Sequence, residues 1–494
     1  MNPIRYSRTE INYGSIGQSS YRAAFGPTYS DTTSAEVVSI IAGSVNAFVK
    51  WSTVTPGVRA EVLLALADAI DSNAAKLIEI ADQETGLGVP RLTGEVGRTT
   101  FQIREFAKAI QAGQFVAPQV DAFLDAPLPA GHPELIRSVQ PLGVVVVFGA
   151  NNFPFAFSVL GGDTASALAA GCSVIAKAHP SHPQTSTSVY EIAAEVFAAH
   201  GFAETLSLIH GVEGGAQVLK SDSVSAGAFT GSLRGGRALF DIASSRKNPI
   251  PFYGELGSVN PVVALDSGLT DPKAFASAYL DSLLLGNGQF CTNPSILFLP
   301  EGSPVLAEIA EQIKNRKPTP FLSPATKSGH DANRKELSSL LGATPIVGQE
   351  NNDGGLYSAP AVIFTQIGGS SFNLEALRLE CFGPTGVVVT YENVGELIET
   401  INTLEGALTG SVFAATDDAS AVQVSAAIAN KVGRISWNGW PTGVAVSIGQ
   451  QHGGPYPAST SSIHTSVGLH AIERFLRPVS YQNFPASVVA QLLG

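Results

Sequence analysis

Residues 144–177 read VVVVFGANNFPFAFSVLGGDTASALAAGCSVIAK, and this stretch decides the fold. Its first four residues are valines, a run that is typical of a strand buried on both faces. Small residues from Gly161 to Ala170 predict a closely packed helix, and Ser173 to Ala176 predict a second strand that ends at Lys177. Strand, helix and strand in this order indicate a βαβ unit with parallel strands.

The same alternation continues beyond Lys177. Two further strands are predicted at 206–209 and 226–229, each preceded by a helix and the second followed by another. This succession predicts a doubly wound parallel sheet, whose ligand binds at the carboxyl ends of the strands, and a nucleotide is the default ligand. The usual G-x-G-x-x-G fingerprint is missing here. Gly231 and Gly236 have G-x-x-x-x-G spacing, which fits a phosphate site or an ordinary strand-to-helix turn.

Helical periodicity precedes the first strand. An irregular polar arm is expected at 1–30, followed by amphipathic helices at 34–51, 58–84 and 91–112. Beyond Glu255, strands and helices alternate again, which indicates a second α/β region. The sequence therefore predicts helices on both sides of two separate sheets.

The predicted fold is α/β with three parts. Residues 1–113 and 142–257 form a cofactor domain that holds the doubly wound parallel sheet, and residues 258–450 form a second α/β domain, the catalytic one. A Pro-rich strand excursion at 114–141 and the C-terminal segment 470–494 are expected to mediate oligomerisation.

Composition narrows the classes of function. The net charge is −12 and only 14% of residues are charged, so the basic excess that nucleic-acid binding requires is missing. No apolar run reaches the ~18 residues of a membrane span and the first residues lack an apolar leader, which predicts a cytoplasmic protein. The cysteines lie too far apart for a disulfide framework or a metal pair, and we assign no metal; they are Cys172, Cys291 and Cys381.

One cysteine stands among turn-forming residues. The stretch 284–295 reads LLGNGQFCTNPS, which places Cys291 on a loop or at a helix start, where backbone N–H groups lower the pKa of a thiol. A thiolate attacks carbonyl carbons, and the small neighbours leave room for a substrate. The alternative is an unreactive cysteine of the protein core.

Five motifs in order along the chain resemble those of the aldehyde dehydrogenase superfamily, and the resemblance covers nearly the whole chain. They are NFP at 152–154, FTGS at 229–232, ELG at 255–257 with NP at 260–261, GQFC at 288–291, and ECFGP at 380–384. The resemblance implies oxidation of an aldehyde with a nicotinamide cofactor.

The resemblance also implies catalytic roles. Cys291 would attack the aldehyde carbon, and the thiohemiacetal would lose a hydride to give a thioester. The side-chain amide of Asn152 and the backbone N–H of Cys291 would stabilise the oxyanion. Glu255 would act as general base. The alternatives are a turn residue before Pro154 for Asn152 and a salt-bridged strand end for Glu255.

The cofactor residues follow from the same resemblance. Lys177 matches the lysine that contacts the adenosine ribose, and Pro180 stands where NAD-preferring members usually carry a glutamate. Without that carboxylate, Lys177 with help from His179 or Ser181 can pair with a 2′-phosphate, so we expect NADP while allowing NAD. The remaining expected cofactor residues lie around the pyrophosphate, namely Gly231, Ser232 and Gly236, and around the nicotinamide, namely Glu380 for its ribose and Phe382 beside its ring.

Longer matches indicate the subgroup. GANNFPFAFSVLGGDTASALAAG, PFYGELGSVNP, WNGWPTGV and HGGPYPAST look like bacterial α-ketoglutaric semialdehyde (2,5-dioxovalerate) dehydrogenases and the related NADP-linked fatty aldehyde dehydrogenases. The expected reaction is oxidation of α-ketoglutaric semialdehyde to α-ketoglutarate, and the alternative is a fatty or medium-chain aldehyde. A silent nucleotide-binding homologue or a non-redox esterase are further alternatives. The small aldehyde is the expected partner, in a homodimer or homotetramer.

Residues for substrate recognition stay open at this point. His452 at the mouth of the site either assists proton transfer or only holds a loop. A substrate carboxylate would need an anchor from Arg104 or from the hydroxyls of Ser459 and Thr460, although Arg104 equally fits an ion pair between helices. Phe157 and Trp437 can line a channel or belong to the core.

Overall fold

The computed structural model describes residues 29–351 and 355–493, so the predicted N-terminal arm lies almost wholly outside the described residues. Four helices come first, and the second predicted helix is two, because the chain leaves helical geometry at Asn73 (φ −104°, ψ 6°). Asn73 competes with the helix by donating its side-chain amide to Ala69 O at 2.8 Å. The four are α1 (Ser34–Trp51), α2 (Pro56–Ser72), α3 (Ala74–Thr85) and α4 (Val89–Gln111).

The excursion after α4 forms two strands of a small antiparallel sheet, β1 (Gln119–Asp121) and β2 (Leu135–Pro141). Its third strand comes from the end of the chain. The strands lie within the segments expected to mediate oligomerisation.

A five-stranded parallel sheet follows. The strands are β3 (Val144–Phe148), β4 (Ser173–Lys177), β5 (Leu206–Ile209), β6 (Val224–Thr230) and β7 (Phe252–Glu255), and the helices are α5 (Gly162–Ala170), α6 (Pro183–Ala199), α7 (Val212–Lys220) and α8 (Leu233–Ser245). The spatial order is β5-β4-β3-β6-β7, so the chain winds outward from β3 on one side and then returns to the other. The predicted doubly wound α/β fold is confirmed, with its switch point between β3 and β6.

The second sheet has seven strands in the order β10-β11-β12-β9-β8-β13-β14, and only β10 is antiparallel. Its strands are β8 (Pro261–Ala264), β9 (Ile296–Pro300), β10 (Ile346–Val347), β11 (Ala361–Gln366), β12 (Thr385–Tyr391), β13 (Ala407–Phe413) and β14 (Val432–Trp437). Its helices are α9 (Pro272–Leu284), α10 (Val305–Gln312), α11 (Pro324–Leu340), α12 (Val394–Thr403) and α13 (Ala419–Ala429). Strands β9 and β12 are buried along their whole length, as expected for a parallel sheet covered on both faces.

The last segment returns to the first sheet. Leu256 N donates to Ala458 O at 2.8 Å and Thr460 N donates to Gly254 O at 3.0 Å, so the tail pairs with β7. The chain then ends with β15 (Leu476–Gln482), which pairs antiparallel with β2, and α14 (Ala486–Leu493). Across the described parts of the chain, none of the helices combines the length and apolarity needed to cross a membrane.

Candidate active site

The backbone around Cys291 is held by several side chains. A short 3₁₀ turn at 285–288 precedes it, and Gly288 has φ +69° with space so tight that a Cβ would lie 2.1 Å from Gly383 O. Asn260, just before β8, donates its amide to Cys291 O at 2.8 Å and to Asn293 O at 2.9 Å. The residue just before β8 in the second sheet therefore fixes the position of the nucleophile.

The Cys291 thiol faces the imidazole of His452, with Sγ and Nε2 3.7 Å apart. Burial raises the pKa of Cys291 to about 12, and the negative charges of Glu255 and Glu380 add to this effect. A backbone hydrogen bond at Cys291 does lower this pKa, as expected, but burial and the two carboxylates outweigh it, so the net shift is upward. The thiol is protonated at neutral pH and needs a base.

His452 fits that need. It is buried, and burial together with the charges of Arg434 and Arg98 lowers its pKa to about 3. The ring is thus neutral at physiological pH, and its lowered pKa makes it a weak base, so the support for proton transfer is the geometry: Nε2 lies within reach of the thiol and accepts its proton in the tautomer that carries hydrogen on Nδ1. Thr465 fixes the backbone of this residue by accepting a hydrogen bond from His452 N at 2.8 Å.

Asn152 lies in the loop after β3, and its Nδ2 donates to Gln289 O at 3.0 Å, two residues before Cys291. An amide nitrogen has two hydrogens, so a second one is available for an oxyanion. The structure thereby brings Asn152, His452 and Cys291 together.

Helix α4 shapes the Asn152 loop, a contribution that sequence reasoning missed. Arg91 donates to Asn152 O at 2.6 Å and packs against the rings of Phe153 and Phe290, which contact each other, with its Cζ 5.0 and 4.9 Å from their centroids. Glu95, which is buried, accepts from Phe155 N at 2.8 Å and from Ala156 N at 3.2 Å. The only signal in the sequence was a set of charged residues on a helix, which is usually a solvated face.

Glu255 ends β7 at the edge of the first sheet and is 7% exposed. Burial raises its pKa well above the usual value, and Oε2 is buried without a hydrogen-bond partner in the described structure. The Glu255 charge contributes to the raised pKa of Cys291, which places the two side chains in one electrostatic environment. A carboxyl with a raised pKa is suited to general-base catalysis near neutral pH.

The adenosine-side residues lie at the carboxyl end of β4. Lys177 is partly buried, and burial lowers its pKa while the nearby Asp31 charge opposes that effect. His179 Nδ1 accepts from Ser181 N at 3.1 Å. Burial also lowers the pKa of His179 to about 2, so the ring is neutral and Lys177 is the cation of this trio.

The switch point between β3 and β6 fits a dinucleotide. Ser232 caps α8, and its Oγ accepts from Gly235 N at 3.3 Å while the first turn of the helix stays exposed. Thr230 Oγ1, at the end of β6, is buried and unpartnered in the described structure. A Cβ at Gly236 would lie 2.0 Å from Leu256 Cδ2 and one at Gly231 would lie 2.7 Å from the Phe229 ring, so both positions need glycine for close helix–sheet contact.

Glu380 closes the other side of this crevice. Its Oε1 accepts from Ser258 N at 3.2 Å, and burial raises its pKa to about 7. Phe382 is half-buried two residues further along the same loop. Glu380 also contributes to the raised pKa of Cys291, which places the nicotinamide-side candidates next to the nucleophile.

The four residues that were expected to contact the substrate do not all lie at the site. Phe157 lies at the site, with its ring centroid 6.3 Å from that of His452. Arg104 instead bridges Asp68 and Asp71 of α2 at 2.6 and 2.7 Å, so its expected role as an anchor is corrected to a surface ion pair.

The Ser459 hydroxyl also has another use: it donates to Gly454 O at 2.7 Å and closes a turn in the tail. Its expected role as a hydroxyl donor to substrate is therefore corrected to a structural one. Trp437 is 44% exposed at the end of β14.

Two arginines that were not expected in the site border it instead. Arg98 of α4 lies with its Cζ 5.7 Å from the Phe157 ring centroid and donates through Nη1 to Val444 O at 2.5 Å. Arg434 of β14 donates to the carbonyls of Gly443 and Pro441. Both charges act on His452 and on Cys291.

Known proteins resemble this chain in sequence and in fold. The sequence profile of the aldehyde dehydrogenase family matches residues 24–480. An α-ketoglutaric semialdehyde dehydrogenase 2 from Azospirillum brasilense is 41% identical over 88% of this chain and 84% of its own length. An α-ketoglutaric semialdehyde dehydrogenase from Acinetobacter baylyi is 35% identical over 98% of this chain and 93% of its own length. The solved structure of 1-pyrroline-5-carboxylate dehydrogenase from Thermus, with bound NAD, has a TM-score of 0.76 at 21% identity over 92% of this chain and 87% of that one, which shows a shared fold.

Proposed function

Since the chain belongs to the aldehyde dehydrogenase family, and is thus an NAD(P)-dependent aldehyde oxidoreductase, we propose that it oxidises α-ketoglutaric semialdehyde to α-ketoglutarate. One observation supports this proposal above the others: Cys291, His452 and Asn152 lie together at the site. The charge of Glu255 also acts on the Cys291 thiol. The names of the two relatives supply the substrate. Arginine charge beside the thiol supports an acidic aldehyde over a neutral one.

In the proposed mechanism, Cys291 Sγ attacks the aldehyde carbon while its proton passes to Nε2 of His452. The carbonyl oxygen becomes an oxyanion, which receives hydrogen bonds from Asn152 Nδ2 and from the backbone N–H of Cys291. When bound, the oxidised nicotinamide dinucleotide supplies the hydride acceptor, and Cys291 is left as a thioester.

Deacylation in this proposal uses Glu255. The carboxylate takes a proton from water, the hydroxide adds to the thioester carbon, and the bond from that carbon to Sγ breaks to release the acid and Cys291. The pKa of Glu255 is raised, and only its ionised form can act as a base. The rate of deacylation should therefore increase as the pH rises through that pKa.

The proposed cofactor is NADP, with NAD as the weaker substrate. Support comes from Lys177 at the end of β4 and from Pro180, where no carboxylate repels a 2′-phosphate. The Lys177→Met variant tests this: the ratio of kcat/KM for NADP over NAD should fall about tenfold or more, since a charge-assisted contact is lost. An unchanged ratio would contradict the assignment.

The proposed assembly is a homodimer or homotetramer formed through the β1-β2-β15 sheet. Support comes from apolar side chains exposed on the excursion, among them Phe123 at 68% and Leu128 at 89%. Sedimentation of a Phe123→Asp, Leu128→Asp double variant should show smaller particles than the unaltered protein. A Val422→Asp variant, which alters another exposed apolar residue, is the matched control.

The substrate proposal is tested by initial rates with α-ketoglutaric semialdehyde, pentanal and dodecanal, each with NADP and NAD. We expect kcat/KM to be at least about tenfold higher for the semialdehyde, which is about 1.4 kcal/mol of transition-state discrimination. A higher kcat/KM for dodecanal would overturn the proposal and assign the enzyme to long aliphatic aldehydes.

A further inference from the structure

Arg98 differs from the other arginines that bury an unpartnered nitrogen, because two of its guanidinium nitrogens lack a partner in the described structure. Nη1 donates to Val444 O, while Nε and Nη2 are buried and have no hydrogen-bond partner in the described structure. Leaving such donors unsatisfied costs free energy, and a charged group costs more than a neutral one. A ligand that accepts hydrogen bonds from Arg98 would remove this cost.

The two unpartnered groups lie on one edge of the guanidinium. Nε–H and one Nη2–H point in parallel from the side of the planar fork, and that spacing matches the two oxygens of a carboxylate. Phe157 packs beneath the plane of the group, with its ring centroid 5.7 Å from Cζ, and so limits its orientation. The free edge is therefore preorganised for bidentate binding of a carboxylate.

This edge belongs to the reaction site. Phe157 lies beside His452, whose Nε2 is 3.7 Å from Cys291 Sγ, and the Arg98 charge lowers the pKa of Cys291. On the same helix, Glu95 accepts the backbone N–H groups of Phe155 and Ala156 through Oε1, while its Oε2 is buried without a partner and its charge acts on Arg98. Neither Glu95 oxygen makes a hydrogen bond to Arg98 in the described structure, so the free edge of Arg98 stays open to a ligand.

Arg434 supports the same region in a different way. Both of its Nη groups bind carbonyls of the segment 441–444, which Arg98 also contacts through Val444. Thr292, next to the nucleophile, donates to Thr442 O in that segment at 3.2 Å. Arg434 therefore stabilises the segment 441–444, to which Arg98 is also hydrogen-bonded. Both Nη groups of Arg434 are already used in these bonds.

We propose that the free edge of Arg98 binds the carboxylate of the acidic aldehyde and thereby determines substrate specificity. This inference rests on the proposed function and deepens it. It replaces Arg104, whose guanidinium is engaged with Asp68 and Asp71 at the surface.

The test compares 2,5-dioxopentanoate, 5-oxopentanoate and pentanal, which share five carbons while only the first two carry a carboxylate. In Arg98→Met, the kcat/KM ratio of each acid to pentanal should fall about 100-fold, since a bidentate charged contact is lost. Arg98→Lys keeps the charge without the fork and should lose about tenfold in the same ratio. Arg104→Met, the matched control on the same helix, should leave the ratio unchanged.

A second readout needs no turnover. α-Ketoglutarate should slow the alkylation of Cys291 by iodoacetamide in the unaltered enzyme and in Arg104→Met, while hexanamide, which has no carboxylate, should protect less. The protection should disappear in Arg98→Met, provided that circular dichroism shows the variant folded; Arg98→Lys serves if it is not.

The outcomes separate the two proposals. If the unaltered enzyme prefers the acids and Arg98→Met keeps that preference and the protection, the role of Arg98 is overturned while the proposed function stands. Equal losses for acids and pentanal would also overturn it, since Arg98 would then act on the nucleophile. If the unaltered enzyme prefers dodecanal, the proposed function itself fails.

Discussion

Two pairs of cysteine and histidine lie within the described residues, and Cys381 and both histidines are buried while Cys291 is partly exposed. Burial raises the pKa of Cys291 and of Cys381 to about 12 in each case, and it lowers the pKa of the neighbouring histidines, His452 to about 3 and His330 to about 4. These shifts do not distinguish a reactive pair from an unreactive one.

The difference lies in the geometry of the imidazole. His330 uses Nδ1 for Asp331 at 3.1 Å and Nε2 for Thr385 at 2.9 Å, so neither ring nitrogen is free for Cys381, whose Sγ donates instead to the His330 carbonyl at 3.7 Å. His452 instead turns Nε2 toward the Cys291 sulfur. A buried thiol becomes a candidate nucleophile when a ring nitrogen is free to take its proton.

The largest effect is expected from replacing the cysteine of the first pair, Cys291 and His452. Cys291→Ser should lower kcat by about 10⁴-fold or more, because the thiol nucleophile is lost. NADPH and NADH formation at 340 nm measures it. Cys381→Ala is the control and should keep its turnover; a comparable loss in that variant would contradict the distinction between the two cysteines.

The next effect concerns the oxyanion. Asn152→Ala should lower kcat by about 10²- to 10³-fold, since one donor to the developing charge is removed. Asn151→Ala is the control, because that amide donates to Thr326 Oγ1 at 3.4 Å. If steady-state kinetics showed the two variants to be alike, Asn152 would not be the donor.

A smaller effect is expected from replacing His452, because Cys291 then lacks a free imidazole nitrogen, as Cys381 does. His452→Gln should lower kcat about 10- to 100-fold and slow the alkylation of Cys291 at pH 7, because the proton acceptor is gone. With the pKa of the thiol raised to about 12, alkylation in this variant should still increase with pH beyond 9 without a plateau. Mass spectrometry of iodoacetamide-treated protein measures the rate.

The exposed His470, which pairs with Glu473 at 3.2 Å, provides the matched control. His470→Gln should leave both kcat and the alkylation rate as they are. Unchanged alkylation in His452→Gln would rule out the imidazole as the acceptor and leave that role to Glu255.

The smallest effect is on stability alone. Cys381→Ala and Cys172→Ala remove buried thiols that donate to backbone carbonyls, at 3.7 and 3.6 Å, and each should lower the melting temperature by about 1–4 °C. Calorimetry measures the shift. A melting temperature above that of the unaltered protein would show that these thiols are strained in the core.

The fold was predictable because its signals are local. The Val144–Val147 run and the small residues of α5 define a βαβ unit without reference to the rest of the chain. The split at Asn73 was missed because the apolar periodicity continues across it, while the side-chain bond to Ala69 O is invisible in a pattern.

The site was predictable where a motif occupies one loop. Arg98 and Arg104 show the limit: they are six positions apart and so point in directions about 120° apart on a helix. Periodicity separates their faces, yet only tertiary packing shows that one face meets Asp68 and Asp71 and the other meets Phe157. The raised pKa of Cys291 depends on distant residues for the same reason.

The pairing of the tail with β7 has a consequence for the behaviour of the protein in crowded solution. Strand β7 is the last in its sheet, and an outer strand offers unpaired N–H and C=O groups that recruit strands from other chains. Ala458 and Thr460 occupy those groups at Leu256 and Gly254. The segment that closes over Glu255 therefore also shields the sheet from edge-to-edge aggregation.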